Sequence, residues 1–145
     1  MRLRAGTALR TAMLVVGLLP LVGLTGGLIE AVLRGVFASY CHQRPERSLV
    51  LFGHTMVVCS RCFGVYSGIL LGALVPLPAR FVPHVRWLLG GAVGLALVDV
   101  ATQDLGLHAP YHPIRVATGI LIGAITAGWV SAKLREATPQ ATCDP

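Results

Sequence analysis

The chain has 145 residues, enough for one domain, and is 54% hydrophobic with only 12% charged residues, a balance that excludes an ordinary soluble protein. Aromatics are only 6%, so the apolar content lies in Leu, Val, Ala and Gly, as in closely packed membrane helices. The formal charge of +6 comes without a basic stripe or interleaved stacking aromatics, which excludes a nucleic-acid binder and fits arginines that flank spans of a lipid bilayer.

The first apolar run covers residues 11–29 and follows Arg2, Arg4 and Arg10. Those arginines resemble the start of a signal peptide, but no small-x-small cleavage site follows closely and the run is long enough to stay in the bilayer. Lipoprotein-type cleavage before Cys41 is disfavoured by the bulk of Tyr40 and by Glu30 and Arg34, which separate the apolar run from the cysteine. A charged connection then begins at Cys41-His42 and runs to Ser48. Residues 49–58 are apolar but too few to cross, and Gly53 and His54 interrupt them, which predicts a re-entrant or interfacial hairpin covering a site. His54 in such a stretch reads as a satisfied buried residue ahead of a ligand.

A second apolar run, residues 60–77, opens on Cys59-Ser60-Arg61-Cys62. Its uncharged part covers only residues 63–76, so it spans only if Arg61 snorkels from the first turn. Pro78 and Pro83 bracket a tight link to a third run, residues 86–103, and a fourth covers 114–132. The tail 136–145, with Cys143, reads as disordered. The expectation is one integral membrane domain, residues 1–135, folded as an all-α, antiparallel up-down bundle of four transmembrane helices. Counting Lys and Arg on alternate faces gives a weak majority for cytoplasmic N- and C-termini in the cell membrane, which puts the cysteine connection on the opposite side.

Small residues recur at steps of four: Gly64, Gly68 and Gly72 in the second run, Gly119, Gly123 and Ala127 in the fourth, Gly23 and Gly27 in the first, Gly90 and Gly94 in the third. On helices of 3.6 residues per turn each set shares a face, where another backbone can approach closely, within the bundle or in a homo-oligomer.

An antiparallel bundle gathers the ends of the first and third spans and the starts of the second and fourth on one membrane face. That face collects Cys41, His42, His54, Cys59 and Cys62 with Asp99, Gln103, Asp104, His108, His112 and Arg115. A carboxylate within a span is costly unless paired or hydrated, so Asp99 is read either as an ion-pair partner of Arg115 or as part of a functional site. Thr118 lies one turn deeper than Arg115, and Arg47 joins the same polar pocket.

Cys59 and Cys62, three apart at a helix start, project from one face, where the helix terminus and Arg61 stabilise thiolate. With Cys41 and a histidine, His42 ahead of His54, they form a ligand set of three thiolates and one imidazole, which suits zinc. The same thiols also suit disulfide exchange with a membrane quinone, as in four-helix membrane oxidoreductases, or a simple loop staple. Residue spacing leaves the three uses open, together with a scaffold that has no chemistry and with the identity of any soluble partner.

The run Cys41-His42-Gln43-Arg44-Pro45-Glu46-Arg47-Ser48, followed by Cys59-Ser60-Arg61-Cys62-Phe63-Gly64-Val65-Tyr66-Ser67-Gly68, resembles the DUF2085 family of small prokaryotic multi-pass membrane proteins. Asp99 with Thr102-Gln103, and Arg115 with Thr118-Gly119, fit its later pattern, so that the likeness covers about residues 38–125. The resemblance implies that Cys41, His42, Gln43, Pro45, Arg47, Ser48, Cys59, Arg61, Cys62, Gly64, Tyr66 and Gly68 belong to one signature; it implies no activity. Phe63 stands where members often carry a small polar residue.

Overall fold

The computed structural model describes residues 2–109 and 111–136. Its helices are α1 (Arg2–Val22), α2 (Gly27–Ala38), α3 (Ser60–Leu74), α4 (Val85–Asp104) and α5 (His112–Glu136), and its strands are β1 (Ser48–Leu51) and β2 (His54–Cys59). Short 3-10 turns occupy Gly23–Thr25, Pro45–Arg47 and Ala79–His84. From residue 137 on, the expected disordered tail and its Cys143 lie outside the described residues, whereas Glu136 still belongs to α5.

Among the described residues, three stretches are long and apolar enough to cross a membrane: Gly6–Thr25, Ala79–Asp104 and His112–Glu136. Helix α3 has 15 residues. At about 1.5 Å per residue that is about 22 Å, against a hydrocarbon core of about 30 Å. The second apolar run, expected to cross only if Arg61 snorkels, is thus a short apolar helix.

Two further expectations are corrected. The first run does not continue to residue 29: α1 ends at Val22, and Gly26 and Gly27 take positive φ of +76° and +66°, which a right-handed helix cannot run through, so the chain breaks there before α2. The chain restarts as α2, which turns Glu30, Leu33, Arg34 and Phe37 inward and leaves Leu28, Ile29, Val32 and Val36 exposed, an apolar face suited to lipid. The fold is also not all-α. The apolar stretch after Ser48, with Val50, Val57 and Val58, forms an antiparallel two-stranded sheet, paired Leu51 to His54 and Val50 to Thr55. Phe52 and Gly53, at φ of +53° and +80°, close it with a two-residue turn of the type that matches strand twist. A bulge then resets the register, so that Ser48 faces Cys59. Met56, Val57 and Val58 at the bulge are all buried; Val57 and Val58 share one cluster with Phe37, and Val57 lies against Gly23 just after α1.

The tightest contact joins α3 to α5, which run parallel. A Cβ on Gly68 would stand 2.7 Å from the Ala124 nitrogen and 3.0 Å from the Gly123 Cα, and one on Gly119 would stand 2.9 Å from the Val65 nitrogen. Gly64, Gly72 and Gly123 are equally close to the facing backbone, so the four-residue spacing lets two helices meet without side chains between them. Helix α1 lies antiparallel to α3, with Gly17 against Leu70 and Arg10 Nη2 donating to the Ala73 carbonyl at 3.1 Å. Gly90, Gly91 and Gly94 meet nothing within 4 Å, and neither does Gly27. The expected glycine face of the third run is therefore not a packing face within the bundle: α4 buries the stripe Ala92, Ala96 and Asp99 instead.

Replacing Gly68 with Val should lower the melting midpoint in detergent, since overpacking of this kind costs about 1–3 kcal/mol. Gly90→Ala, where there is room, should leave the midpoint unchanged or slightly raised; equal losses in both variants would contradict the assigned contact.

Candidate functional site

Three consecutive pieces of local structure deliver the sulfurs. Cys41 ends the last turn after α2, its N–H donating to the Phe37 carbonyl at 2.8 Å, and is buried. Cys59 closes β2 and stands in extended conformation just before α3, and Cys62 occupies the first turn of that helix. The three ligand atoms lie within 4.8 Å of one another. All three are free thiols, and the Cys59 N–H donates to Cys41 Sγ at 3.2 Å. The Cys59 thiol is held below the ordinary thiol range, chiefly by hydrogen bonding with the Cys41 side chain and then with that of Cys62, while burial acts in the opposite direction. A cluster of this kind could bind a metal ion.

The loop leading to the cluster is held from behind. Arg34 pairs with Glu30 and donates to the Thr55 carbonyl at 2.8 Å, tying α2 to β2. Gln43, at φ +48°, turns back so that its Nε2 donates to the Arg34 carbonyl at 2.7 Å. Tyr66 meets Phe37 edge-on, ring centres 5.4 Å apart, and both rings pack on the apolar side of the sulfurs.

On the other side, a chain of polar groups crosses three helices. Arg61 from α3 pairs with Asp99 Oδ2 on α4, Gln103 Nε2 donates to Asp99 Oδ1 at 2.9 Å, and Arg115 Nη1 from α5 donates to Gln103 Oε1 at 2.7 Å. The expected Asp99–Arg115 pair is therefore corrected: the partner of Asp99 is Arg61. Gln103 sits one turn along α4 at the level of Arg115, and its amide, donor at one end and acceptor at the other, joins the carboxylate to the second arginine.

The cysteines and the arginines share a cavity of about 450 Å³. Its wall includes His42, Arg44, Arg47, Arg61, Asp104 and Arg115 as well as the three cysteines. Arg47 faces Asp104 at 3.6 Å. His42 is exposed and lines this cavity, although it stands outside the three-sulfur group. Thr118 is buried but turned into its own helix, its hydroxyl donating to the carbonyls of Ile114 at 3.0 Å and Arg115 at 3.1 Å. His54 is exposed beside the hairpin turn rather than buried, as the apolar run around it had suggested. Arg44, which the sequence reads as a solvated loop arginine ahead of one that meets lipid phosphates, is exposed and also lines this wall.

The family described as "Predicted membrane protein (DUF2085)" matches residues 41–128. The chain belongs to this family. The match begins at Cys41 and ends at Gly128, so the DUF2085 region holds every residue of the sulfur cluster and of the polar chain, while α1 and α2 precede it. A protein of Methanocaldococcus jannaschii described as uncharacterized is 37% identical over 100 residues, which cover 66% of this chain and 64% of that one. Another uncharacterized protein, from Methanothermobacter thermautotrophicus, is 34% identical over 94 residues, covering 60% of this chain and 80% of its own. The chain thus spans less than two thirds of the first of these relatives. No solved structure matches.

Removing one member of a buried ion pair strands the other, at about 3–5 kcal/mol. Asp99→Leu should lower the detergent melting midpoint sharply, and the double variant Arg61→Met with Asp99→Leu should recover much of the loss. Arg115→Met combined with Asp99→Leu should show weaker coupling in the same cycle; the reverse order would restore the Asp99–Arg115 pairing.

Proposed function

We propose that this DUF2085 protein crosses the membrane with α1, α3, α4 and α5 and holds a zinc ion at one bundle end through Cys41, Cys59 and Cys62, with His42 as the fourth ligand. The observation that carries the reading is the gathering of three free thiols within 4.8 Å. Tetrahedral zinc with Zn–S bonds of about 2.3 Å needs sulfurs about 3.8 Å apart, a small contraction from what is observed. Zinc takes thiolates, so binding to this cluster releases thiol protons and weakens as pH falls. His42 lies in the wall of the cavity that these cysteines line, on the residue next to Cys41. In this reading Arg47, Asp99, Gln103 and Arg115, with Thr118 behind them, form a polar pocket beside the metal that receives a small polar ligand.

The competing use of the same atoms is thiol–disulfide exchange with a membrane quinone, and a third is a scaffold without chemistry. Protein taken from native membranes under anaerobic conditions separates them by metal analysis together with a mass-spectrometric thiol count. The zinc reading predicts one zinc per chain, three reduced thiols, and loss of most of the zinc in Cys62→Ser. A Cys59–Cys62 disulfide that cycles with reductant, in protein without zinc, would transfer the assignment to exchange. Protein with neither zinc nor a cycling disulfide, in which Cys62→Ser alters only the melting midpoint, would leave the scaffold.

A further inference from the structure

We propose that the arginine wall of the cavity is a receptor for a dianionic phosphate group, bound by the guanidinium groups of Arg44, Arg47, Arg61 and Arg115. The inference rests on reading this cavity as a ligand site, and it does not depend on the metal, because none of the four residues is a cysteine or histidine.

Charge is the first argument. Four arginines line one cavity and two carboxylates answer them, Asp104 in the wall and Asp99 paired with Arg61. Two positive charges are left over. A divalent ion held by three thiolates would remove only one of them.

Burial is the second. Arg115 is 4% exposed, yet its side chain is bonded to the neutral amide of Gln103 rather than to a carboxylate, and its Nε has no partner. Taking a guanidinium out of water is costly unless an anion answers it, and at the end of a membrane bundle such residues mark ligand or ion sites. Arg61 shows the same feature, one edge on Asp99 and a buried Nε unpartnered. Arg47 stands 3.6 Å from Asp104, too far for a close hydrogen bond, and Arg44 forms no ion pair among the described residues.

Geometry is the third. The planar fork of arginine matches phosphate with paired N–H donors, and a phosphate monoester carries close to two negative charges at neutral pH. Helices α3 and α5 both begin at this end, so the positive ends of their dipoles add to the field. A cavity of about 450 Å³ has room for a phosphate with an attached group. Because the cavity lies at the end of apolar helices, the phosphate can come from a lipid headgroup or from a free ion or monoester.

The test uses the full chain in phosphatidylcholine nanodiscs, titrated calorimetrically with inorganic phosphate. In parallel, nanodiscs containing phosphatidic acid are assayed for lipid retained by the protein in native mass spectrometry. Saturable binding of either probe is expected, weakened about tenfold or more by Arg44→Gln or Arg47→Gln, in keeping with loss of a charge-assisted hydrogen bond. Arg115→Gln should abolish it. Binding of phosphatidic acid alone would assign the source to lipid, and binding of both would assign it to the free group. The proposal is overturned if neither probe binds, if binding survives Arg44→Gln and Arg47→Gln together, or if it vanishes on chelation of metal but not on arginine substitution. Arg44 and Arg47 lie on the connecting loop, so their variants fold even if Arg115→Gln does not. Zinc measured on the same samples keeps the two readings apart: loss of zinc with phosphate binding intact sinks only the metal assignment, and the converse sinks only this one.

Discussion

The backbone-to-backbone contact of α3 with α5 is the constraint on which the rest of the structure depends. Glycines at 64, 68 and 72 face glycines at 119, 123 and 128, and because the helices run parallel their first turns lie level. That register carries Arg61 and Arg115 to the same end of the bundle, where two guanidinium groups would repel one another. Helix α4 supplies the answer, inserting Asp99 and Gln103 so that one carboxylate and one amide link both cations. Packing at glycine distance thus sets an electrostatic problem, and the polar residues of a third helix resolve it.

The same helix start fixes the chemistry. Since α3 begins at Ser60, Cys59 and Cys62 are oriented by the helix that holds Arg61, and sulfurs and guanidinium groups share one cavity. Cys41 arrives from the other direction, at the end of α2, and the hairpin between them brings the chain back over 18 residues. Arg34 and Gln43 pin that return, one on the Thr55 carbonyl and the other on the Arg34 carbonyl. The outward face of α2 and the exposed Phe52 at the hairpin turn are apolar, a surface suited to lipid, while the buried inner side of the hairpin packs beside the cysteines.

Much of this was readable in the residues, for physical reasons. Alternating apolar runs with short links force successive helices up and down, which is enough to place Cys41, Cys59, Cys62, Asp99, Gln103 and Arg115 together. The four-residue glycine spacing told where backbones could touch, but spacing does not say which helix lies opposite; Gly90 and Gly94 share it and face open space. The partner of Asp99 was out of reach for a similar reason. Arg61 and Arg115 sit at comparable depths, and the choice between them depends on helix rotation, which a single sequence does not encode in its apolar period. The break at Gly26–Gly27 depends on φ values that glycine permits without requiring; the hairpin was signalled by Gly53 and His54, but its β pairing was not, because Phe52–Gly53 lacks the Asn-Gly or Asp-Gly signal of such turns.

The central claim, that sulfurs distant in sequence serve one ion, is tested most directly by X-ray absorption at the zinc edge on protein purified with its native metal. The account predicts three sulfur neighbours at about 2.3 Å and one lighter nitrogen neighbour at about 2.0–2.1 Å. A first shell of nitrogen and oxygen alone, or of sulfur in Cys41→Ser unchanged from the parent protein, would contradict it.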